Sequence, residues 1–312
     1  MEPAVKIARL MDCVGRVVKG KPDAVRLAVA ALLGRGHLLI EDVPGIGKTT
    51  LAYSLAKSVS CSFHRVQFTS DLLPSDIIGV TVFNQTTREF EFKEGPIFAN
   101  IVLADEINRT TPKTQSALLE AMNEGQVTVE KHTRPLPRPF MVIATQNPLE
   151  FHGTFPLPES QMDRFIMRIR IGYPERLHER EILRGGGSGE TMAMIEPVLT
   201  ADEVIALQGE AASVRVDGSL VDYILTITEA TRQNDKLALG ASPRGAPFLQ
   251  KSAKALAFTY GRDYVIPDDI KAVAVPALAH RVVVNARAGY GRRSEDVEDI
   301  IRDIVESVET PV

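Results

Sequence analysis

The run Glu41-Asp42-Val43-Pro44-Gly45-Ile46-Gly47-Lys48-Thr49-Thr50 follows a short apolar stretch and opens a helix-favouring one, the setting in which a loop can cradle phosphate. Gly45 and Gly47 let successive backbone N–H groups turn toward phosphate oxygens, and the following helix adds partial positive charge at its N-terminus. In that frame Lys48 reaches the β and γ phosphates and Thr49 offers its hydroxyl to Mg²⁺. One position departs from the usual pattern, because the glycine expected five places before Gly47 is Asp42. The candidate nucleotide-binding loop therefore runs from Asp42 through Val43, Pro44, Gly45, Ile46, Gly47, Lys48 and Thr49 to Thr50. The competing reading is an ordinary strand-to-helix turn with Lys48 as a solvated charge.

Ile101-Val102-Leu103-Ala104-Asp105-Glu106 is an apolar strand pattern ending in two carboxylates. Behind a phosphate loop, Asp105 suits Mg²⁺ next to Thr49, and Glu106 suits polarisation of a water for attack on the γ-phosphate. Without that loop the pair reads as a helix cap. Met141 to Gln146 is another such strand, followed by Asn147-Pro148. Alone that dipeptide reads as a turn, but on the strand after Asp105-Glu106 it places Asn147 to orient the attacking water. Two arginines complete the catalytic candidates, alongside Lys48, Glu106 and Asn147. Arg164 lies in Met162-Asp163-Arg164-Phe165. Arg244 follows Ser242-Pro243, which reads as an N-cap and first-turn proline, so a cation sits where the helix dipole disfavours it. Such a broken local rule points to function, here an anionic phosphate nearby.

These residues need a parallel sheet whose strand ends converge. The sequence predicts strands at His37 to Ile40, Cys61 to Phe68, Ile101 to Ala104, Phe140 to Thr145 and Phe165 to Ile171, with helices over Ala28 to Leu33 and Thr49 to Ser58. That is a doubly wound α/β layer. Val80 to Phe92 and Gly125 to Arg138 alternate with period two and read as hairpins projecting from it. Gly185-Gly186-Gly187-Ser188-Gly189 marks a domain boundary by composition. Beyond it the pattern is helical, ending in a stripe of Ile300, Ile301, Ile304, Val305 and Val308. The expected domains are an α/β core at 1–186 and a small all-α domain at 187–312.

Composition is consistent with two packed cores. The 312 residues are 44% hydrophobic and 24% charged, which excludes collagen-like, disulfide-stapled and wholly disordered chains. A net charge of −4 disfavours non-specific attraction to nucleic acid or anionic lipid, so any polyanion site must be local. Apolar runs fall short of the ~20 residues a membrane span needs, and Met1-Glu2-Pro3-Ala4 lacks the character of a signal peptide. The expectation is a cytoplasmic protein without membrane insertion. Cys13 and Cys61 form no C-x-x-C and read as reduced buried thiols.

In order and spacing these motifs resemble the AAA+ ATPases, and within them the MoxR family. The resemblance is carried by Glu41 to Thr50, Phe68 to Asp76, Asp105 to Arg109 with Gln115 to Gly125, Gly153 to Phe165, and Gly240 to Arg244. His152 departs from the acidic or amide residue expected there. The resemblance implies a P-loop AAA+ core with two inserted β-hairpins and an all-α lid. It implies that Gly45 to Thr50 is Walker A, that Asp105 and Glu106 are Walker B, and that Asn147 is sensor 1 and Arg244 sensor 2. Arg164 is similar to an arginine finger, which acts on ATP held by the neighbouring subunit. The hairpins resemble the helix-2 insert and pre-sensor-1 hairpin, which line or cap the pore in related rings. A ring, as a hexamer, acting with MgATP on a protein client follows, with a von Willebrand factor A domain protein as a separate partner.

Three other functions compete. A ring-shaped nucleic-acid motor of the same clade is the main alternative, because Lys131, His132, Arg134 and Arg138 cluster on the second hairpin. A monomeric P-loop kinase or GTPase lacks a reason for Asn147 with Arg164, and no guanine-reading Asn-Lys-x-Asp or Thr-Lys-x-Asp occurs. A nucleotide-binding scaffold has no need of both Glu106 and Arg164. The client, the ring size and the contacts of the basic hairpin are not written in the sequence.

Overall fold

The computed structural model describes residues 2–147, 154–183, 194–285 and 294–311. The predicted boundary glycines at 185–189, Pro148, and the departure at His152 lie outside them. Five parallel strands form the central sheet: β1 (Leu38–Glu41), β2 (Phe63–Gln67), β5 (Ile101–Asp105), β8 (Met141–Gln146) and β9 (Met167–Ile169), in the order β2-β5-β8-β1-β9. All four neighbouring pairs are parallel, so every C-terminal end emerges at one edge, where ligands of open α/β sheets bind. The inner strands β1, β5 and β8 are near-continuous apolar runs because both sheet faces are covered there, whereas the edge strand β2 carries His64, Arg65 and Gln67.

The two faces feed different cores, and the pleat decides which residue goes where. Leu38, Ile40, Ile101, Leu103 and Ile143 join a cluster with α1 (Pro3–Val17), α2 (Pro22–Leu33) and α3 (Lys48–Ser58). Their alternates Leu39, Val102, Ala104, Val142 and Ala144 join a cluster on the other face. There α4 (Pro74–Ile78) contributes Ile77, and α5 (Pro112–Glu124) contributes Leu118, Leu119 and Met122. Each fully buried Leu or Ile contributes about 1.5–3 kcal/mol relative to exposure, so a one-residue slip of any strand would exchange the two cores. His37 pins this register. Its Nδ1 accepts from the Val142 N–H at 2.9 Å and its Nε2 lies 3.0 Å from the Met122 carbonyl. Burial pushes this imidazole down to about 4, so it is neutral.

The two predicted hairpins are present as separate antiparallel ribbons. The first pairs β3 (Gly79–Asn84) with β4 (Glu89–Glu94), and the second pairs β6 (Gln126–Val129) with β7 (His132–Pro135). Phe83 and Phe90 face each other across the first, with ring centroids 5.3 Å apart, and both are exposed. Arg134 of the second hairpin lies over the Phe92 ring of the first at 4.1 Å, which couples the two.

After the short α6 (Glu159–Met162) and α7 (Arg176–Leu183), the remaining described elements are mainly helical. They are α8 (Ala201–Ser213), α9 (Gly218–Gln233), α10 (Gly245–Thr259), α11 (Pro267–Leu278) and α12 (Ser294–Ser307), with one two-stranded ribbon of β10 (Leu237–Leu239) and β11 (Val283–Val284). Helix α8 starts with a capping box, in which the Glu203 N–H donates to Thr200 Oγ1 at 3.2 Å and the Thr200 N–H to Glu203 Oε2 at 2.9 Å. The stripe predicted on the last helix is buried at Ile300, Ile301, Ile304 and Val305. This lid shares the first core cluster with α1, α2 and the sheet, so core and lid pack through one continuous apolar body. A polar tie reinforces it: Arg168 on β9 holds Glu41 Oε2 at 2.8 Å and Glu298 Oε1 of α12 at 3.2 Å. Glu41 Oε1 in turn accepts from Gln146 Nε2 at 3.0 Å.

Cys13 and Cys61 are free thiols, as expected, but half-buried rather than buried, and partial burial pushes Cys61 up to about 11. Among the described residues no helix is long and apolar enough to cross a membrane.

Candidate functional site

A cleft of about 490 Å³ opens where the strand ends converge. Pro44 to Thr50 form its floor, Arg65, Gln67, Asp105 and Glu106 one wall, and Val17, Val18, Lys19 and Lys21 with Ile171, Gly172, Pro174 and His178 the opposite one. One wall is thus charged and polar and the other is partly apolar, which suits a ligand with a phosphate end and a flat ring end.

The floor is shaped by backbone conformation. Gly45 has φ +84° and Gly47 φ +94°, values that side-chain-bearing residues rarely adopt, and a Cβ on Gly45 would meet nothing within 4 Å. Conformation, not space, requires glycine there. Helix α3 begins at Lys48, and its first intrahelical bond runs from the Leu51 N–H to the Gly47 carbonyl at 2.9 Å. The amides ahead of Leu51 have no partner within the helix, which makes this turn an anion-binding end. Lys48 is buried with Nζ 2.7 Å from the Asp42 carbonyl.

Asp42 replaces the first motif glycine for a visible reason. Its Oδ2 accepts from the amides of Ile171 and Gly172 at 2.8 and 2.7 Å, and its Oδ1 from the Val43 amide at 2.9 Å. The carboxylate ties the loop to the segment leaving β9. Neither Asp42 nor Val43 is among the described residues lining it.

The carboxylates at the end of β5 are held by neighbours that sequence reasoning missed. Asp105 Oδ1 accepts from Thr145 Oγ1 at 2.6 Å, while Oδ2 accepts from Arg65 Nη2 at 2.7 Å and Nε at 3.1 Å. Glu106 Oε2 accepts from Gln67 Nε2 at 2.7 Å and lies 3.2 Å from Arg109 Nε. Glu106 also sits in the left-handed region, at φ 57° and ψ 50°, with its N–H on Thr145 Oγ1 at 2.8 Å. Such a backbone costs of order 1–3 kcal/mol for a residue with a side chain and is concentrated at functional sites. Their alternation on β2 puts Arg65 and Gln67 on one face, but only the pairing of β2 with β5, which sets Gln67 opposite Asp105, reveals their role.

Among the described residues no group of three or more His, Cys, Asp or Glu is placed to hold a metal by itself. That suits Mg²⁺, which takes one or two protein oxygens together with substrate phosphates and water. Thr49 and Asp105 line the same cleft and are oxygen donors that could hold such an ion.

Asn147 is buried just beyond β8. Arg164 donates from Nη1 to the Leu119 carbonyl at 2.6 Å, and its Nε is buried with no hydrogen-bond partner among the described residues. Arg244 stands at the N-terminus of α10, as expected, but as the N-cap itself. Ser242 caps the turn as expected, its Oγ accepting from the Arg244 N–H at 3.2 Å, and at the same time donates its hydroxyl proton to Asp163. Asn147, Arg164 and Arg244 are not among the described residues lining the cleft. The structure therefore gathers Pro44 to Thr50, Asp105 and Glu106 into one site and leaves Asn147 and both arginines outside its described lining.

A profile of the ATPase family associated with various cellular activities (AAA) matches residues 37–167, and an AAA lid domain profile matches residues 229–304. The chain is 49% identical to YeaC of Bacillus subtilis over 306 residues, covering 98% of this chain and 95% of that protein. It is 41% identical to the chaperone MoxR1 of Mycobacterium tuberculosis over 307 residues, covering 96% of this chain and 80% of that one. The crystal structure at 2.00 Å of a candidate ATPase from Cytophaga hutchinsonii superposes with a TM-score of 0.89 at 40% identity, over 99% of this chain and 96% of that one. With a phosphate loop, a paired-carboxylate strand end and a helical lid in one chain, and near-full-length relatives at this identity, the protein belongs to the MoxR family of AAA+ ATPases.

Proposed function

We propose that this chain hydrolyses MgATP in a ring of six identical subunits and uses the cycle to remodel or assemble protein complexes. The observation that carries this reading is the division of the machinery: the phosphate loop and both carboxylates share one cleft, whereas Arg164 and Arg244 lie outside its lining. A neighbouring subunit is the natural source of the missing cation.

In this reading the amides of Gly45 to Thr50 and Lys48 bind the phosphates, and Thr49 and Asp105 hold Mg²⁺. The ion supplies charge neutralisation on the phosphate oxygens when bound. Glu106 accepts a proton from the attacking water as its oxygen approaches the γ-phosphorus, and Asn147 orients that water. Gln67 and Arg109 hold Glu106 through Oε2 and so orient the carboxylate for this step. Arg164 of one subunit stabilises the charge developing on ATP held by the next, and Arg244 reports the phosphate to the lid. ADP and phosphate leave, and the lid changes its angle.

The domain limits belong to the same reading, with the core at 1–186 and the lid at 187–312, as do a cytoplasmic location and a separate von Willebrand factor A domain partner. The exposed Phe83–Phe90 pair supports a client-facing role for the first hairpin. A nucleic-acid motor is the weaker alternative, because Arg134, one of the four basic residues behind it, is already packed on Phe92. The test is steady-state ATP hydrolysis against protein concentration, with Lys48→Ala as background. Specific activity should climb with concentration as subunits associate. A monomer of constant specific activity at every dilution would overturn the shared site.

A further inference from the structure

Outside the cleft, a densely bonded charged group lies where the lid meets the core. The Arg281 side chain is wholly buried (0% exposed) and places Nε 3.0 Å from Asp163 Oδ1. Its Nη2 donates to the carbonyls of Asp163 and Phe165, its Nη1 to that of Ala277, and its guanidinium lies 4.6 Å from the Phe248 ring centroid on α10. Desolvation offsets much of the attraction in such a pair, so stability is a poor reason for its presence, whereas fixing one geometry is a good one.

The same carboxylate serves a second contact from the lid. Ser242 Oγ donates to Asp163, lying 3.2 Å from Oδ1 and 3.1 Å from Oδ2, and accepts from the Arg244 N–H at 3.2 Å. The Ser242 carbonyl accepts from the Gly245 N–H at 2.8 Å, so Ser242 fixes the turn that starts α10. On its other side Asp163 is covalently followed by Arg164, whose Nη1 reaches the Leu119 carbonyl of α5. One carboxylate thus joins the backbone of Arg244 to the backbone of Arg164, and a buried arginine from the end of the lid clamps it.

We propose that Asp163 is a positioning residue that couples the two arginines. A change of lid angle at Arg244 moves Ser242 and Arg281 together, and Asp163 converts that movement into a reorientation of Arg164. Nucleotide in one subunit's cleft would then set the readiness of the cation offered to the next. The inference rests on the reading of Arg164 and Arg244 given above and adds the connection between them.

The experiment is a double-mutant cycle in the full chain, followed with radiolabelled ATP so that slow variants stay measurable. Ser242→Ala removes one hydroxyl and leaves the Asp163–Arg281 pair intact, so it is the variant least prone to misfold; Asp163→Asn is its companion, and thermal melting checks both. Ser242→Ala should lower kcat roughly tenfold with KM little changed, within the roughly 5- to 150-fold range usual for coupled sites. Added to Arg164→Ala, it should produce no further loss, because a displaced Arg164 and an absent one fail at the same step. If the two losses multiply while Arg164→Ala alone is impaired, the coupling is overturned and the role of Arg164 stands. If Arg164→Ala is as active as the parent, the role of Arg164 is overturned and the coupling falls with it.

Discussion

The nucleotide cleft and the seam between core and lid solve opposite problems with similar residues. In the cleft, polar groups at the strand ends hold one another in short contacts that remain open to a ligand: Asp105 with Arg65 and Thr145, Glu106 with Gln67 and Arg109. At the seam, Arg281 is fully buried, and it, Asp163 and Ser242 are bonded largely to backbone or to each other. Arg65 is half exposed where Arg281 has no exposure. An exposed guanidinium pays little desolvation and can leave its carboxylate; a buried one cannot do so cheaply. The cleft is built to exchange partners and the seam to keep them.

Arg164 follows the seam's Asp163 in the chain, and removing it is the severest way to break the contrast. Arg164→Ala should lower kcat by about 10³- to 10⁵-fold, the usual effect of losing an arginine finger. Its affinity for ATP, measured by calorimetry, should stay within a few-fold of the parent, because the cleft lining is untouched. Lys48→Ala should do the reverse and abolish binding. Next in size is Glu106→Gln, which keeps the Gln67 and Arg109 contacts in outline but removes the base. Turnover should fall about 10²- to 10⁴-fold, and ATP should remain on the protein through gel filtration; a chain stripped of nucleotide by the column would count against the role of Glu106.

A smaller effect separates structure from chemistry inside the loop itself. Asp42→Ala removes three backbone contacts to one carboxylate. Bonds to a charged group contribute about 1.5–3 kcal/mol each in favourable cases, so urea unfolding should show a loss of that order. ATP affinity should change less than in Lys48→Ala. A variant of unaltered stability that no longer binds ATP would make Asp42 a ligand contact instead.

Such distinctions mark what the sequence made legible. The phosphate loop, the paired carboxylates and all five sheet strands could be read from it, because each depends on a local pattern: glycine spacing, a continuous apolar run, or a pleat of period two. Arg65, Gln67 and Thr145 could not, because their role arises only when β2, β5 and β8 lie side by side, and strand order is not a local property. Asp42 was placed in the binding loop by position, and only the return of the chain after β9 reveals what its carboxylate holds. Ser242 reads as a cap from its neighbour Pro243 and does accept the Arg244 N–H, while its hydroxyl proton goes to a tertiary partner, Asp163, that no local pattern announces. In each case a long-range contact adds a role that the local reading does not contain.

The smallest predicted effect concerns the buried histidine of the core. His37 has an ordinary value of 6.5 and is lowered to about 4 by burial. Between these values the unfolded chain binds a proton that the folded chain refuses, so stability is complete above pH 6.5 and declines as pH falls toward 4. His280, also lowered by burial, acts in the same direction. From pH 6.5 to 5.5 the loss attributable to His37 should be about 1 kcal/mol, seen as a fall in the urea midpoint. His37→Gln should flatten that slope, and an unchanged slope would remove His37 from the explanation.

The central claim, that each site is completed by a neighbour's Arg164, is tested most directly by mixing two inactive chains. Arg164→Ala keeps an intact cleft and lacks the arginine, while Lys48→Ala keeps the arginine and lacks a working cleft. After co-incubation under conditions that allow subunit exchange, confirmed with differently tagged chains, the mixture should hydrolyse ATP well above the sum of its parts. A mixture that exchanges subunits and stays as inactive as either chain alone would contradict the account.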